Sequence, residues 1–60
     1  MTAIKDRLEK ALKTEQALFR VYQDLANRLS DTELGQACQQ MALRAEENIR
    51  LINRWLICPA

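Results

Sequence analysis

A chain of 60 residues builds at most one small domain and buries little surface by itself. With 48% apolar residues, one Gly and one Pro, it excludes a disordered linker, and its nine basic and eight acidic side chains are too scattered for a nucleic-acid surface. No apolar run approaches a membrane span and the first residues lack the apolar core of a signal peptide. A soluble, cytoplasmic protein is expected, with neither nucleic acid nor membrane among its partners.

The first predicted element is a helix over about 3–28, free of Gly and Pro and rich in helix formers on its exposed face. Glu9 with Lys13 and Asp24 with Arg28 add correctly oriented pairs four residues apart. Apolar side chains recur at Ile4, Leu8, Ala11, Leu18, Tyr22, Leu25 and Leu29, the alternating four-and-three spacing of a helix packed against other helices. Glu15 occupies the one place in that series where a charged side chain interrupts the stripe. A carboxylate buried without a partner is costly, so a cation, hydrogen-bond donors, a shared proton or a metal must meet it.

A turn over about 29–30 follows. Ser30 with Glu33 matches the capping box of a helix start, and Leu29 with Leu34 matches the hydrophobic staple. Asp31 and Glu33 place negative charge at the positive end of the new helix. The second helix is therefore predicted over about 31–57, with Pro59 just past its end. Gly35 in its first turns costs about 1 kcal/mol against Ala, and close packing at the turn is the only use the sequence suggests for it. The apolar stripe of this helix runs through Leu34, Cys38, Met41, Ala42, Ala45, Ile49, Ile52 and Leu56, with Trp55 on one flank.

Two helices of about 40 Å each, joined by so short a turn, must be antiparallel neighbours. A lone hairpin leaves much of both stripes wet, whereas two hairpins around a two-fold axis bury them as a four-helix bundle. The expected fold is all-α, an antiparallel two-helix hairpin over 1–60 that dimerises, or assembles further, into such a bundle. A disulfide within the chain does not serve instead. Cys38 and Cys58 stand 20 positions apart in one predicted helix, about 30 Å along its axis, against the roughly 7 Å a bridge tolerates. Cys38 reads as a small buried side chain, Cys58 as a residue that links chains only under oxidation, and a reduced compartment is expected.

In ferritin-like di-iron bundles two helices each give one Glu and the other two each give a Glu-x-x-His pair, because iron takes carboxylate and imidazole ligands aimed at one point. In that pattern Glu15 is the lone glutamate, and Glu46-Glu47-Asn48-Ile49 is the second motif, 31 positions on. Tyr22 follows Glu15 by seven residues, on the same helical face. The chain resembles the first helical hairpin of the rubrerythrin branch of the ferritin-like family. The matching residues are Glu15, Tyr22, Ala26, the short turn, Ala45, Glu46 and the tail Leu51-Ile52-Asn53-Arg54-Trp55-Leu56, nearly the whole chain. It is similar also to the short two-helix ferritins packaged in encapsulin shells, which build their iron site between two chains.

The resemblance implies Glu15 and Glu46 as metal ligands, Tyr22 behind them, iron or another divalent metal as cofactor, and a homodimer. The chain departs from the pattern in having no histidine, with Ile49 in the histidine position. Taking Glu47 as the ligand instead pairs it with Arg50, a cation that opposes metal. Neither an extended targeting peptide nor paired Cys-x-x-Cys motifs follow the hairpin. An oxygen-only set remains, Glu15 and Glu46 from two chains, suited to weak binding of manganese, magnesium or ferrous iron.

The plainer reading of Glu15 is a buried carboxylate satisfied by Tyr22, Asn48 or an Arg across the dimer, since polar seam residues often set register. Glu46 falls toward the edge of its stripe, where Arg50 is a ready surface partner. Tyr22 reads as a core aromatic, and Met41 and Trp55 as packing. There is no histidine base, no Gly-rich phosphate loop and no nucleophile with an activator. The expected function is a ferritin-like assembly or interaction module with a degenerate di-iron motif, without catalysis or cofactor. One alternative is a metal-carboxylate site between two chains, storing iron or oxidising it as a ferroxidase does. Another is a helical adaptor that takes a partner helix on Trp55, Leu56 and Ile57.

Overall fold

The computed structural model describes residues 2–57 and shows two helices, α1 over Thr2–Arg28 and α2 over Glu33–Ile57. They lie side by side as a helical hairpin, 45 × 16 × 11 Å. Among the described residues there is no strand, and no helix is long and apolar enough to cross a membrane. Cys58 and Pro59, with the interchain link and the helix stop read from them, lie outside the described residues.

The turn differs from the sequence-based expectation. It spans 29–32, and Thr32, not Ser30, caps α2. The Gly35 N–H donates to Thr32 Oγ1 at 3.0 Å and the Gln36 N–H to the Thr32 carbonyl at 3.1 Å. Thr32 is tied backwards as well: its N–H and its hydroxyl both donate to the Leu29 carbonyl, at 2.9 and 2.7 Å. Ser30 and Thr32 are both good capping residues. Thr32 takes the role, its hydroxyl accepting from the Gly35 N–H while donating to the Leu29 carbonyl. Glu33 still opens the helix with negative charge, Asp31 falls in the turn, and with Thr32 as the cap Leu29 and Leu34, the latter 59% exposed, no longer occupy the staple positions.

Gly35 acquires its physical reason here. A Cβ at this position would fall onto the Leu29 carbonyl, 2.5 Å from its carbon and 3.2 Å from the Leu29 Cβ. Its backbone φ is not positive, so the requirement is space and not conformation. With Cys38, Ala42 and Ala45 it forms the buried line of α2, a seam of small residues at three-four-three spacing that lets the two helices approach closely. Below them Ile49, Ile52, Asn53 and Leu56 are half-buried.

Facing that seam, α1 presents Leu8, Leu12, Glu15, Phe19, Tyr22, Ala26 and Leu29, all half-buried. Only part of the expected stripe is included. Ile4, Ala11, Leu18 and Leu25 are exposed, and Leu12, Phe19 and Ala26 take their place against α2. The heptad spacing contains two overlapping stripes that share Leu8, Glu15, Tyr22 and Leu29, and the one completed by Leu12, Phe19 and Ala26 faces α2. Local pairs are simpler. Arg28 Nε donates to Asp24 Oδ2 at 2.9 Å as expected, whereas no Glu9–Lys13 pair is made among the described residues. The Thr14 hydroxyl donates back to the Lys10 carbonyl at 3.0 Å.

Candidate functional site

One open cleft runs along each side of the helix–helix seam. On the first side, Glu15, Leu18 and Tyr22 of α1 stand against Met41, Arg44, Ala45 and Asn48 of α2. On the second, Phe19, Gln23 and Asn27 stand against Gln39, Leu43 and Glu46, with Gly35 and Ala42 at the floor.

The first cleft holds the residue that the heptad pattern singled out. Glu15 is half-buried, its Oε2 is shielded from solvent, and no hydrogen bond reaches that atom. Tyr22 lines the same cleft, as the seven-residue spacing implied, and Asn48 lies opposite, yet neither bonds the carboxylate. A shielded, unbonded carboxylate oxygen is rare enough in folded proteins to require a cause. The remaining polar group of the cleft is Arg44; the sequence suggested an Arg across the dimer as a partner for Glu15 but did not identify which one. It stands three residues after Met41 and four before Asn48, on one flank of α2, and that spacing was the available signal. Arg44 makes no ion pair among the described residues.

Glu46, the other expected metal ligand, opens on the second side. It pairs with Arg50, 3.6 Å away and one turn on, in the surface arrangement the sequence suggested. Within one chain Glu15 and Glu46 therefore line different clefts. No three of His, Cys, Asp or Glu gather at one point among the described residues. The described residues of a single chain do not gather a donor set for a metal centre, and one built on Glu15 and Glu46 would need carboxylates from a second chain.

The two clefts also differ in what surrounds them. Ile4 and Leu25 extend Leu18 along α1 at heptad steps, and Leu34 and Trp55 extend Met41 along α2 in the same way. Leu51 stands one heptad beyond Arg44, and Val21 flanks Leu18. Of the ten large apolar side chains exposed among the described residues, eight fall by this spacing on the side of Glu15. Leu43 and, two heptads on, Ile57 fall on the other. The trio Trp55, Leu56 and Ile57, expected as one apolar anchor, is divided: Trp55 joins the first side, Ile57 the second, and Leu56 is half-buried between them. Cys38 is 3% exposed on the seam, a free thiol packed as a small apolar residue. No family model, no curated protein and no solved structure matches this chain.

Proposed function

We propose that the chain is an assembly module, a helical hairpin that pairs with a second copy as a four-helix bundle and carries out no chemistry of its own. The observation that carries this reading is the continuous apolar face on the Glu15 side of a hairpin in which, among the described residues, no large side chain is fully buried. The buried apolar residues are Cys38, Ala42 and Ala45, too small to supply a core for two long helices. The surface area agrees. The hairpin exposes 5120 Å² where a folded monomer of its 7.0 kDa would expose roughly 4,000 Å². The surplus, roughly 1,100 Å², is of the same order as the ~800 Å² that each partner covers in an interface of standard size. Closing two such faces on each other is the four-helix solution to an unpartnered pair of stripes. The ferritin-like resemblance is compatible with that architecture, Glu15 and Glu46 standing as what is left of a di-iron motif whose histidine position is Ile49.

Sedimentation equilibrium over a range of chain concentrations tests the reading. Two chains per particle and a melting temperature that rises with concentration are expected. A monomer whose melting does not depend on concentration overturns it. An anaerobic ferrous-iron titration separates the assembly reading from iron chemistry between two chains. The assembly reading expects no stoichiometric uptake. About one ion per chain, lost in Glu15→Gln, would transfer the function to the metal.

A further inference from the structure

We propose that the Glu15 cleft is the self-contact of the dimer and that Arg44 of each copy closes on Glu15 of the other. The proposal rests on the reading that the chain pairs with itself, and adds which surface does so and what sets its register. The cleft contains one acid and one base and no other charge: Leu18, Tyr22, Met41, Ala45 and Asn48 make up the rest. The acid has a shielded oxygen without a donor and the base has no carboxylate partner, although both line the same cleft. Elsewhere on the hairpin the acid–base pairs Asp24–Arg28 and Glu46–Arg50 are made within the chain, at 2.9 and 3.6 Å. Glu9–Lys13 is also unmade, but in the Glu15–Arg44 cleft the unmade pair stands beside exposed apolar side chains.

A cleft carrying one unmatched charge of each sign is complementary to itself. A two-fold contact is reciprocal, so whatever Glu15 meets on the partner, the partner's Glu15 meets on this copy. When two such faces meet about an axis running along the helices, α1 of each lies over α2 of the other. Glu15, which shares its level of the hairpin with Asn48, then stands one helical turn from the partner's Arg44. The planar guanidinium can donate two parallel hydrogen bonds to a carboxylate, which the neutral Tyr22 and Asn48 cannot match. Leu18 and Met41 flank the pair, and Leu25, Leu34 and Trp55 continue the apolar face along the helices beyond it. A copy docked out of register would bury two unpaired charges, so the pair opposes every alternative alignment of the same apolar face.

The experiment is a charge-swap mixing test, read as particle mass with one variant isotope-labelled. Glu15→Arg alone sets arginine against arginine at both contacts, and Arg44→Glu alone sets glutamate against glutamate. Each variant by itself is expected to be monomeric where the wild type is dimeric. An equimolar mixture is expected to regain dimers containing one copy of each, because every introduced arginine then meets an introduced glutamate. Single variants that remain dimeric overturn the proposal. A mixture that stays monomeric while the double variant dimerises also overturns it, by placing the pair within one chain. A wild-type chain that is itself monomeric fails at the earlier step, and so identifies the self-pairing reading as the one at fault. If a reversal disrupts helicity, Glu15→Gln, Arg44→Gln and the double variant form a cycle on the dimer dissociation constant. A coupling of about tenfold or more is expected there, and additive effects overturn the proposal.

Discussion

The two clefts of this hairpin are formed by the same pair of helices across the same seam, and they have opposite characters. On one side Leu18 and Met41 flank an unbonded carboxylate and an unpaired guanidinium. On the other, Gln23, Asn27 and Gln39 are amides at home in water, and the acid present, Glu46, already has its arginine. The second cleft is finished as it stands. The first combines exposed apolar area with an unmet charge at one place. The difference teaches that the proposed partner surface is marked by several deficits at one place and not by hydrophobicity alone, since single exposed apolar residues such as Leu43 are ordinary.

The largest expected effect breaks or upholds that contrast directly. Leu18→Glu, on the first side, should weaken dimerisation by about a hundredfold or more, the cost of a charge at the centre of an interface. Leu43→Glu, on the second, should change the dissociation constant by less than about threefold. Equal losses, measured by sedimentation, would show that the two sides are not distinct in function.

Next come the residues that hold the helices in the rotation that separates the two sides. Gly35→Ala should destabilise the protein by about 1–3 kcal/mol in urea unfolding at fixed chain concentration, because the Leu29 carbonyl must move. The roughly 1 kcal/mol of helix propensity that alanine brings works against that loss. A net gain in stability would mean that the turn is not tight.

Thr32→Ala should cost about 1 kcal/mol as the cap is lost. Ser30→Ala should stay within about 0.5 kcal/mol, and the reverse ranking would restore Ser30 as the cap. Asp24→Asn supplies the smallest change, at most about 0.5 kcal/mol, because the Asp24–Arg28 pair is exposed and lines neither cleft. A larger effect there would point to a contact outside both clefts.

How much of this was legible in the residues depends on how far each feature reaches. Asp24–Arg28 and Glu46–Arg50 span one helical turn, so spacing identified them, although the same spacing also offered Glu9–Lys13, which is not made among the described residues. Glu15 was legible as an acid among heptad apolar positions, because Leu8, Glu15, Tyr22 and Leu29 belong to whichever stripe faces α2. Leu12 and Phe19 were not, because Ala11 and Leu18 fit the same spacing one residue away. Glu46 was read toward the edge of its stripe but not on the side away from Glu15. Adjacent residues on a helix point about 100° apart, so the rotation of α2 about its own axis decides which cleft each one enters. That rotation is set at a turn where Ser30 and Thr32 both qualified as caps.

By itself the sequence determined the parts: two long helices without an interior breaker other than Gly35, a short polar connection, and one acid on an apolar seam. These are properties of neighbours within a turn or two, where backbone geometry and side-chain spacing leave little choice. Only the tertiary structure decided which overlapping stripe of α1 meets α2, why Gly35 must lack a side chain, and that Glu15 and Glu46 lie on opposite sides while Glu15 and Arg44 share one. Those outcomes depend on one backbone passing over another at van der Waals distance, a constraint between residues that no local spacing encodes.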